Sequence, residues 1–182
     1  MNALIFNGIG LEGKAGGATA GRLVSHLEKT FAQIPDCNVE TFHLAEAGIP
    51  MLHTDFNKVS GNIKNMAAQF KKADIHIWIA PMYHGSMPGA MKNCLDWLEI
   101  TARDEQPYLT DKIVGLVCWA DGGQAMLGVN SMDNVAKSLR AWVLPYSIPI
   151  VRKDLFDGEA ITELYRHKLE KMVHLLSKAK NK

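Results

Sequence analysis

The sequence predicts an α/β protein in which helices cover both faces of one parallel sheet. Apolar runs of strand length alternate along the chain with segments in which apolar residues recur at helical spacing, five of each kind. The runs at residues 74–82 and 112–120 are almost continuously apolar, which is typical of central strands buried on both faces. This alternation indicates a doubly wound fold, in which ligands bind beyond the carboxyl ends of the strands.

In the first half of the chain, a strand at residues 3–6 leads into a glycine-rich loop and then into a helix. Residues 38–44 alternate between apolar and polar types and predict the second strand. A second helix follows and leads into the strand at residues 74–82. The helical spacing of these two segments rests on Ala20, Leu23, Val24, Leu27 and Phe31, and on Ile63, Met66, Ala67 and Phe70.

The second half repeats the pattern. A third helix and a polar loop at residues 101–111 precede the strand at residues 112–120, and a fourth helix precedes a fifth strand at residues 147–151. A last helix ends in lysines, which the helix dipole favours at that end. The apolar faces of these three helices comprise Ala90, Met91, Cys94, Leu95 and Leu98; Met132, Val135, Ala136, Leu139 and Trp142; and Ile161, Leu164, Tyr165, Leu169, Met172, Val173 and Leu176.

Length and composition indicate one globular domain spanning residues 1–182. The net charge of +1 supplies no electrostatic reason to expect a nucleic acid or an anionic membrane as partner. Three cysteines without a C-x-x-C pair predict neither a disulfide framework nor a metal site, and they fit a reducing cytosol. The chain start lacks a basic segment, and no apolar stretch reaches the roughly 20 residues that cross a bilayer. We therefore expect a cytoplasmic protein whose partners are small molecules or copies of itself.

The first loop contains the run GIGLEGK at residues 8–14, which admits three interpretations. A nucleoside-triphosphate loop needs Ser or Thr after its lysine, where this chain has Ala15. A dinucleotide motif needs a helix that opens at the third glycine, and the two glycines that follow Ala15 argue against so early a helix. The favoured interpretation is a loop at residues 8–18 that wraps a monophosphate before the Thr19 hydroxyl caps the helix; a purely structural turn stays open. The candidate phosphate-binding residues are Gly10, Lys14, Gly17, Ala18 and Thr19.

The segment from residue 81 to residue 97 is the most specific feature of the chain. Its distinctive residues are Pro81, Tyr83, Gly85, Ser86, Pro88, Gly89, Lys92, Asn93, Leu95, Asp96 and Trp97. With these residues the segment fits the pattern P-x-Y-x-G-S-x-P-G-x-x-K-N-x-L-D-W, and in this it resembles the NADPH-dependent FMN reductase family of flavodoxin-like flavoproteins. The resemblance implies a flavodoxin-like sheet of order 2-1-3-4-5, with FMN across the carboxyl ends of the first, third and fourth strands. It also implies a homodimer or homotetramer that uses NADPH or NADH as reductant.

The residue types after the third strand suit the flavin that the resemblance implies. An isoalloxazine ring needs an aromatic wall, close backbone approach and a few polar donors, and Tyr83 beside Gly85 and Ser86 offers all three. Without the motif, Tyr83 would be a half-buried aromatic residue and His84 a solvated histidine. The resemblance implies flavin contacts from Pro81, Met82, Tyr83, His84, Gly85 and Ser86, and from Ala120, Asp121, Gly122 and Gly123. Residues 92–97 lie on the following helix, and we interpret them as packing, capping or subunit-contact residues.

Two sites depart from the family pattern. A carboxylate at Asp121 would disfavour an anionic reduced ring, so either Asp121 points away or the reduction potential is lowered. A tight Asp-Gly-Gly turn without a ligand is the structural alternative. The first loop lacks most of the hydroxyl and arginine contacts of the family, and Lys14 could replace the arginine as a point charge.

We therefore expect an FMN-dependent NAD(P)H oxidoreductase that transfers hydride in a ping-pong cycle to a small-molecule acceptor. The expected acceptor is free flavin, a quinone, an azo compound or a metal oxyanion. Because the flavin carries the chemistry, no catalytic side chain and no metal ligand is expected. The alternative is a flavodoxin-like electron carrier, which should be acidic where this chain has a net charge of +1, or a non-catalytic relative with weakened FMN affinity.

Overall fold

The computed structural model describes residues 1–10 and 14–180. The strands of its main sheet are β1 (Asn2–Asn7), β2 (Asn38–His43), β3 (Ile75–Pro81), β4 (Ile113–Ala120), β5 (Trp142–Val143) and β6 (Ile148–Val151). The sheet is parallel and runs in the order β2-β1-β3-β4-β5. Strand β5 pairs with the first residues of β4, and β6 pairs with its last residues. Since β5 and β6 pair with successive parts of β4, they are two pieces of one fifth strand. The predicted flavodoxin-like order 2-1-3-4-5 is confirmed.

The described residues form five α-helices, which cover both faces of the sheet as the alternating pattern predicts. They are α1 (Lys14–Phe31), α2 (Gly61–Lys72), α3 (Gly89–Asp96), α4 (Ala125–Ser138) and α5 (Glu163–Lys180). Residues of α1 and α5 share one buried cluster, and residues of α2, α3 and α4 share the other. Successive residues of β3 alternate between them, with Ile77 and Ile79 in the first cluster and Trp78 in the second. In the part of the chain that the structure describes, no helix is long and apolar enough to span a bilayer.

Trp142 does not lie on the fourth helix, so that prediction is wrong. Helix α4 ends at Ser138, and the chain reverses at Arg140, whose φ is 65°. The backbone N–H of Trp142 then donates to the carbonyl of Lys112 at 2.8 Å, which starts the fifth strand. The indole is 69% exposed at the edge of the sheet. Pairing with β4 therefore decides the conformation here, although the helical spacing continues past the end of α4.

Ile161 precedes the last helix instead of belonging to it. It lies in β8 (Ala160–Ile161), which pairs antiparallel with β7 (Phe156–Asp157) around Gly158, whose φ is 58°. Strands of two residues are too short to produce a recognisable alternation, so the sequence pattern did not separate this hairpin from α5.

Candidate functional site

The candidate site lies at the carboxyl edge of β1, β3 and β4, where three loops meet. A cleft of about 280 Å³ opens at this edge, at the carboxyl ends of β3, β4 and β6. It is lined by Pro81, Met82, Tyr83, Trp119, Ala120, Asp121 and Arg152. A larger groove of about 470 Å³ lies between the fifth strand and the end of α5, next to the amino end of β4. Because parallel α/β sheets bind ligands beyond the carboxyl ends of their strands, we assign the smaller cleft as the site.

The loop after β3 is a tight hairpin turn built by residues 83–86. The N–H of Tyr83 donates to the carbonyl of Ser86 at 2.9 Å, and the N–H of Ser86 donates back at 3.0 Å. His84 and Gly85 have φ values of 49° and 82°, which is the pattern of a type I′ turn. Gly85 adopts this conformation without strain, whereas His84 adopts it against its preference. The turn holds Tyr83 at the cleft with 55% of its surface exposed.

The turn is fixed to the strands and to α4. The N–H of Met82 donates to the carbonyl of Trp119 at 2.7 Å, and the N–H of Met87 donates to Ser131 Oγ at 2.8 Å. Helix α4 comes this close because Gly128 has no side chain: a Cβ there would lie 2.4 Å from Cys118 Sγ. Ser131 and Gly128 are thus supporting residues that sequence reasoning missed. A glycine on the apolar face of a helix was the available signal.

The loop after β4 carries backbone donors and begins at Asp121, which lines the same cleft. Within the described residues, no hydrogen bond engages the backbone N–H of Asp121, Gly122 or Gly123. A Cβ at Gly123 would have open space around it, so a ligand can approach the backbone there. The side chain of Asp121 pairs with Arg152, with 2.6 Å between Oδ1 and Nε. The carboxylate expected either to point away from a flavin or to disfavour its reduced form therefore has a cation beside it.

The first loop differs from the prediction at its helical end. Helix α1 begins at Lys14, so Thr19 lies inside the helix and does not cap it; it is buried with 4% of its surface exposed. Gly17 falls in the first turn and Ala18 beyond it. Packing of the apolar face of α1 against the sheet outweighs the cost of helical glycine, which is about 1 kcal/mol each. Residues 11–13 and the side chain of Lys14 lie outside the described residues, so the proposed Lys14 contact stays a prediction.

The start of this loop is close to α3. The N–H of Gly8 donates to the carbonyl of Ile79 at 2.9 Å, which ties the loop to β3. A Cβ at Gly10 would lie 2.5 Å from the Cβ of Ala90, so glycine allows the loop to contact the first turn of α3. Asn7 is buried, and its Oδ1 accepts from the N–H of Ile9 at 3.4 Å. Gly10 therefore has a demonstrated packing role, and its phosphate contact remains a prediction.

The motif residues on α3 hold a neighbouring loop. Asn93 accepts from the N–H of Leu52 at 2.8 Å and donates to the carbonyl of Pro50 at 2.9 Å. Trp97 is fully buried, and its Nε1 donates to the same carbonyl at 2.8 Å. Lys92 and Asp96 form a surface pair one turn apart at 2.6 Å. These contacts support the interpretation of residues 92–97 as packing residues, and burial removes Trp97 as a subunit contact.

The described side chains offer no thiolate for covalent chemistry in the core. Burial raises the pKa of both Cys94 and Cys118 to about 12, so each is a neutral thiol at physiological pH. Among the described residues, no group of three His, Cys, Asp or Glu side chains is placed to hold a metal ion. What the site offers is an aromatic side chain, backbone donors and the Arg152 guanidinium.

Known proteins resemble this chain over most of its length. The family model described as NADPH-dependent FMN reductase matches residues 1–154. Among curated proteins, the FMN-dependent NADPH-azoreductase of Staphylococcus aureus is 28% identical over 131 residues, which are 68% of this chain. The aligned region spans 65% of the length of that relative.

Solved structures show the same fold at lower identity. An oxidoreductase from Corynebacterium diphtheriae has a TM-score of 0.75 and 18% identity, covering 98% of this chain and 96% of its own. The NAD(P)H:(acceptor) oxidoreductase FerB from Paracoccus denitrificans has a TM-score of 0.73 and 16% identity, covering 97% of both chains. An FMN-dependent NADH-azoreductase from Bacillus anthracis, solved in complex with FMN, has a TM-score of 0.67 and 13% identity, covering 97% of this chain and 100% of its own.

Proposed function

We propose that this chain, which belongs to the NADPH-dependent FMN reductase family, binds FMN at the carboxyl edge of its sheet and acts as an NAD(P)H-dependent oxidoreductase. The observation that carries the proposal is that two features occur at one edge of the sheet. They are the Tyr83–Ser86 turn and the backbone N–H groups of residues 121–123, which make no hydrogen bond within the described residues. Tyr83 and Asp121 line one cleft at the carboxyl ends of β3, β4 and β6, and the strand order reverses between β3 and its other neighbour, β1.

The described residues fit a flavin. The tight turn presents Tyr83 as an aromatic wall, and the His84 and Gly85 N–H groups are free of hydrogen bonds in the described structure. The donors at residues 121–123 match the carbonyl and nitrogen edge of a pyrimidine ring. Gly10 and the first turn of α1 lie at the end of β1, where a helix N-terminus favours a phosphate. Bound FMN would accept a hydride from NAD(P)H and pass the two electrons on.

The finer points of the function are also proposals. The cycle is ping-pong, with NADPH or NADH leaving before a small-molecule acceptor enters; free flavin, a quinone, an azo compound or a metal oxyanion fits the open face beside Tyr83.

The domain is single, cytoplasmic and homodimeric or homotetrameric. Tyr83, Met126 and Leu127 are each about half exposed near the cleft, which supports a subunit contact at this edge. Light scattering tests it, and a monomer at every concentration contradicts it.

Spectroscopy tests the central claim. The purified protein, reconstituted with FMN, is expected to bind the flavin with quenching of tryptophan fluorescence. Anaerobic mixing with NADPH in a stopped-flow instrument should bleach the flavin absorbance, and a later mix with a quinone or azo dye should restore it. Failure of FMN to bind would contradict the proposal. Bound flavin that does not react with NADPH would instead favour the electron carrier.

Replacing Gly123 by alanine is expected to weaken FMN binding about tenfold or more, a loss of at least about 1.4 kcal/mol. A Cβ there has no neighbour within 4 Å in the protein, so stability should change by no more than about 0.5 kcal/mol. The matched control is Gly21→Ala, which also has open space but lies on α1 away from the cleft. Fluorescence titration with FMN and urea unfolding give the two readouts. Equal FMN affinity of Gly123→Ala and Gly21→Ala would rule out close approach at residue 123.

A further inference from the structure

The Asp121–Arg152 pair forms a charged wall on the candidate cleft. We propose that Arg152 compensates the negative charge that hydride transfer leaves on the bound flavin, and that Asp121 orients the guanidinium for this role. The inference rests on the proposed function, because it concerns the same site. It differs from the expectation from sequence, in which Asp121 either points away from the flavin or lowers its reduction potential.

The fold itself places the two residues together. Strand β6 pairs in parallel with β4, and the last paired residues are Ala120 and Val151. Asp121 and Arg152 are the next residues on the two strands, so they leave the sheet side by side at its carboxyl edge. Asp121 Oδ1 lies 2.6 Å from Arg152 Nε, and both side chains line the cleft that contains Tyr83.

The pair leaves donors of the guanidinium available to a ligand. Arginine carries five N–H donors, more than one carboxylate oxygen can accept. The closest approach joins Arg152 Nε to Asp121 Oδ1, and Asp121 is the one acidic side chain paired with Arg152 in the part of the chain that the structure describes. The ion pair therefore keeps the guanidinium at the cleft, where its remaining N–H groups can donate to an electron-rich group.

Exposure makes the two charges unequal in their effect. The Asp121 side chain is 79% exposed, whereas that of Arg152 is 38% exposed. Water and salt screen the more exposed charge more strongly, so the pair leaves a net positive field in the cleft. Hydride transfer delivers two electrons and one proton, so a neutral oxidised ring gains one negative charge. A net positive field stabilises that reduced form more than the oxidised form.

The test compares the affinities for reduced and oxidised FMN in charge variants. Arg152→Gln is expected to raise the ratio of the dissociation constants, reduced over oxidised, about tenfold, which is about 30 mV in the midpoint potential of a two-electron couple. Asp121→Asn should lower the ratio, since no carboxylate then offsets the positive charge of Arg152. Arg152→Lys keeps the charge and should recover much of the effect. The matched control is Lys153→Gln, which removes an equal charge from the adjacent exposed residue and should leave the ratio unchanged within about twofold.

The readout is equilibrium reduction of the FMN-loaded protein against dyes of known potential, combined with fluorescence titration of oxidised FMN. Opposite shifts for Arg152→Gln and Asp121→Asn support the inference. If the unmodified protein binds FMN and Arg152→Gln leaves the ratio unchanged, the inference fails while the proposed function stands. A raised KM for NADPH at an unchanged ratio would assign Arg152 to the nucleotide and overturn the inference too. If the unmodified protein binds no FMN, both proposals fail.

Discussion

Trp97→Ala is expected to lower the free energy of unfolding by about 3–5 kcal/mol. Trp97 has no exposed surface, and its ring lies edge-on to His53 at 5.0 Å and to Phe56 at 6.4 Å between ring centroids. Its Nε1–H also donates to the carbonyl of Pro50 at 2.8 Å. Alanine would leave a cavity between α3 and the loop that carries these residues, and the loop would lose one of its attachments.

Two further variants separate the loss of buried volume from the loss of the hydrogen bond and from the effect of removing any tryptophan. Trp97→Phe keeps most of the volume but not the N–H donor; since Asn93 still donates to Pro50, the expected loss is only about 1–2 kcal/mol. Trp142→Ala removes the same side-chain type from a position that is 69% exposed, and about 0.5 kcal/mol or less is expected. Urea unfolding at pH 7 measures all three. If Trp97→Ala and Trp142→Ala unfold at the same denaturant concentration, the packing role assigned to Trp97 is wrong.

The fold could be predicted from sequence where the local pattern and the tertiary packing agree. In β3, every residue from Ile75 to Pro81 is buried, because the strand lies inside the sheet with helices on both faces. An almost unbroken apolar run is the direct result. Trp142 shows the opposite case: its spacing continues that of α4, and only its pairing with Lys112 places it in a strand. Hydrogen bonding between strands that are distant in the chain produces no pattern in the local sequence.

The candidate site also contains residues of both kinds, those grouped by a local motif and those brought together only by the fold. Tyr83 and Gly85 belong to one short motif, so the sequence already places them in one loop. The pairing of Asp121 with Arg152 depends on the register between β4 and β6, which the sequence does not state. Ser131 likewise reaches Met87 only because Gly128 lets α4 approach. Residues that share one local motif were therefore easier to bring together from sequence than the distant residues that hold the motif in place.

Acidification is expected to destabilise the protein through a histidine buried in the sheet. His76 lies in β3 between Leu4 of β1 and Val114 of β4, with no exposed surface. Neither of its ring nitrogens has a hydrogen-bond partner in the described structure. Burial, and then the nearby charge of Lys112, lowers the pKa of His76 from 6.5 to about 3. The native protein therefore holds this imidazole neutral across the physiological range.

The sign of the pH dependence follows from that pKa. Below pH 6.5 the unfolded chain binds a proton at His76 that the native protein does not bind until about pH 3. Stability is thus full above pH 6.5 and is lost as the pH falls from 6.5 toward 3. By pH 5 the loss amounts to about 2 kcal/mol, at 1.36 kcal/mol for each pH unit. Asp74, whose pKa is lowered from 3.8, is ionised in both states above pH 5 and adds little in this window.

His76→Leu removes the titrating ring and should abolish most of the stability difference between pH 7 and pH 5. His76→Gln should do the same while keeping a polar side chain in the core, which separates the loss of a charge site from the gain of an apolar one. The remainder should have the same sign, because burial also lowers the pKa of His26. Urea unfolding at the two pH values provides the four free energies needed for each comparison. Should both variants keep the full difference found in the unmodified protein, His76 is not its source, and a neutral imidazole in the sheet would no longer explain the acid sensitivity.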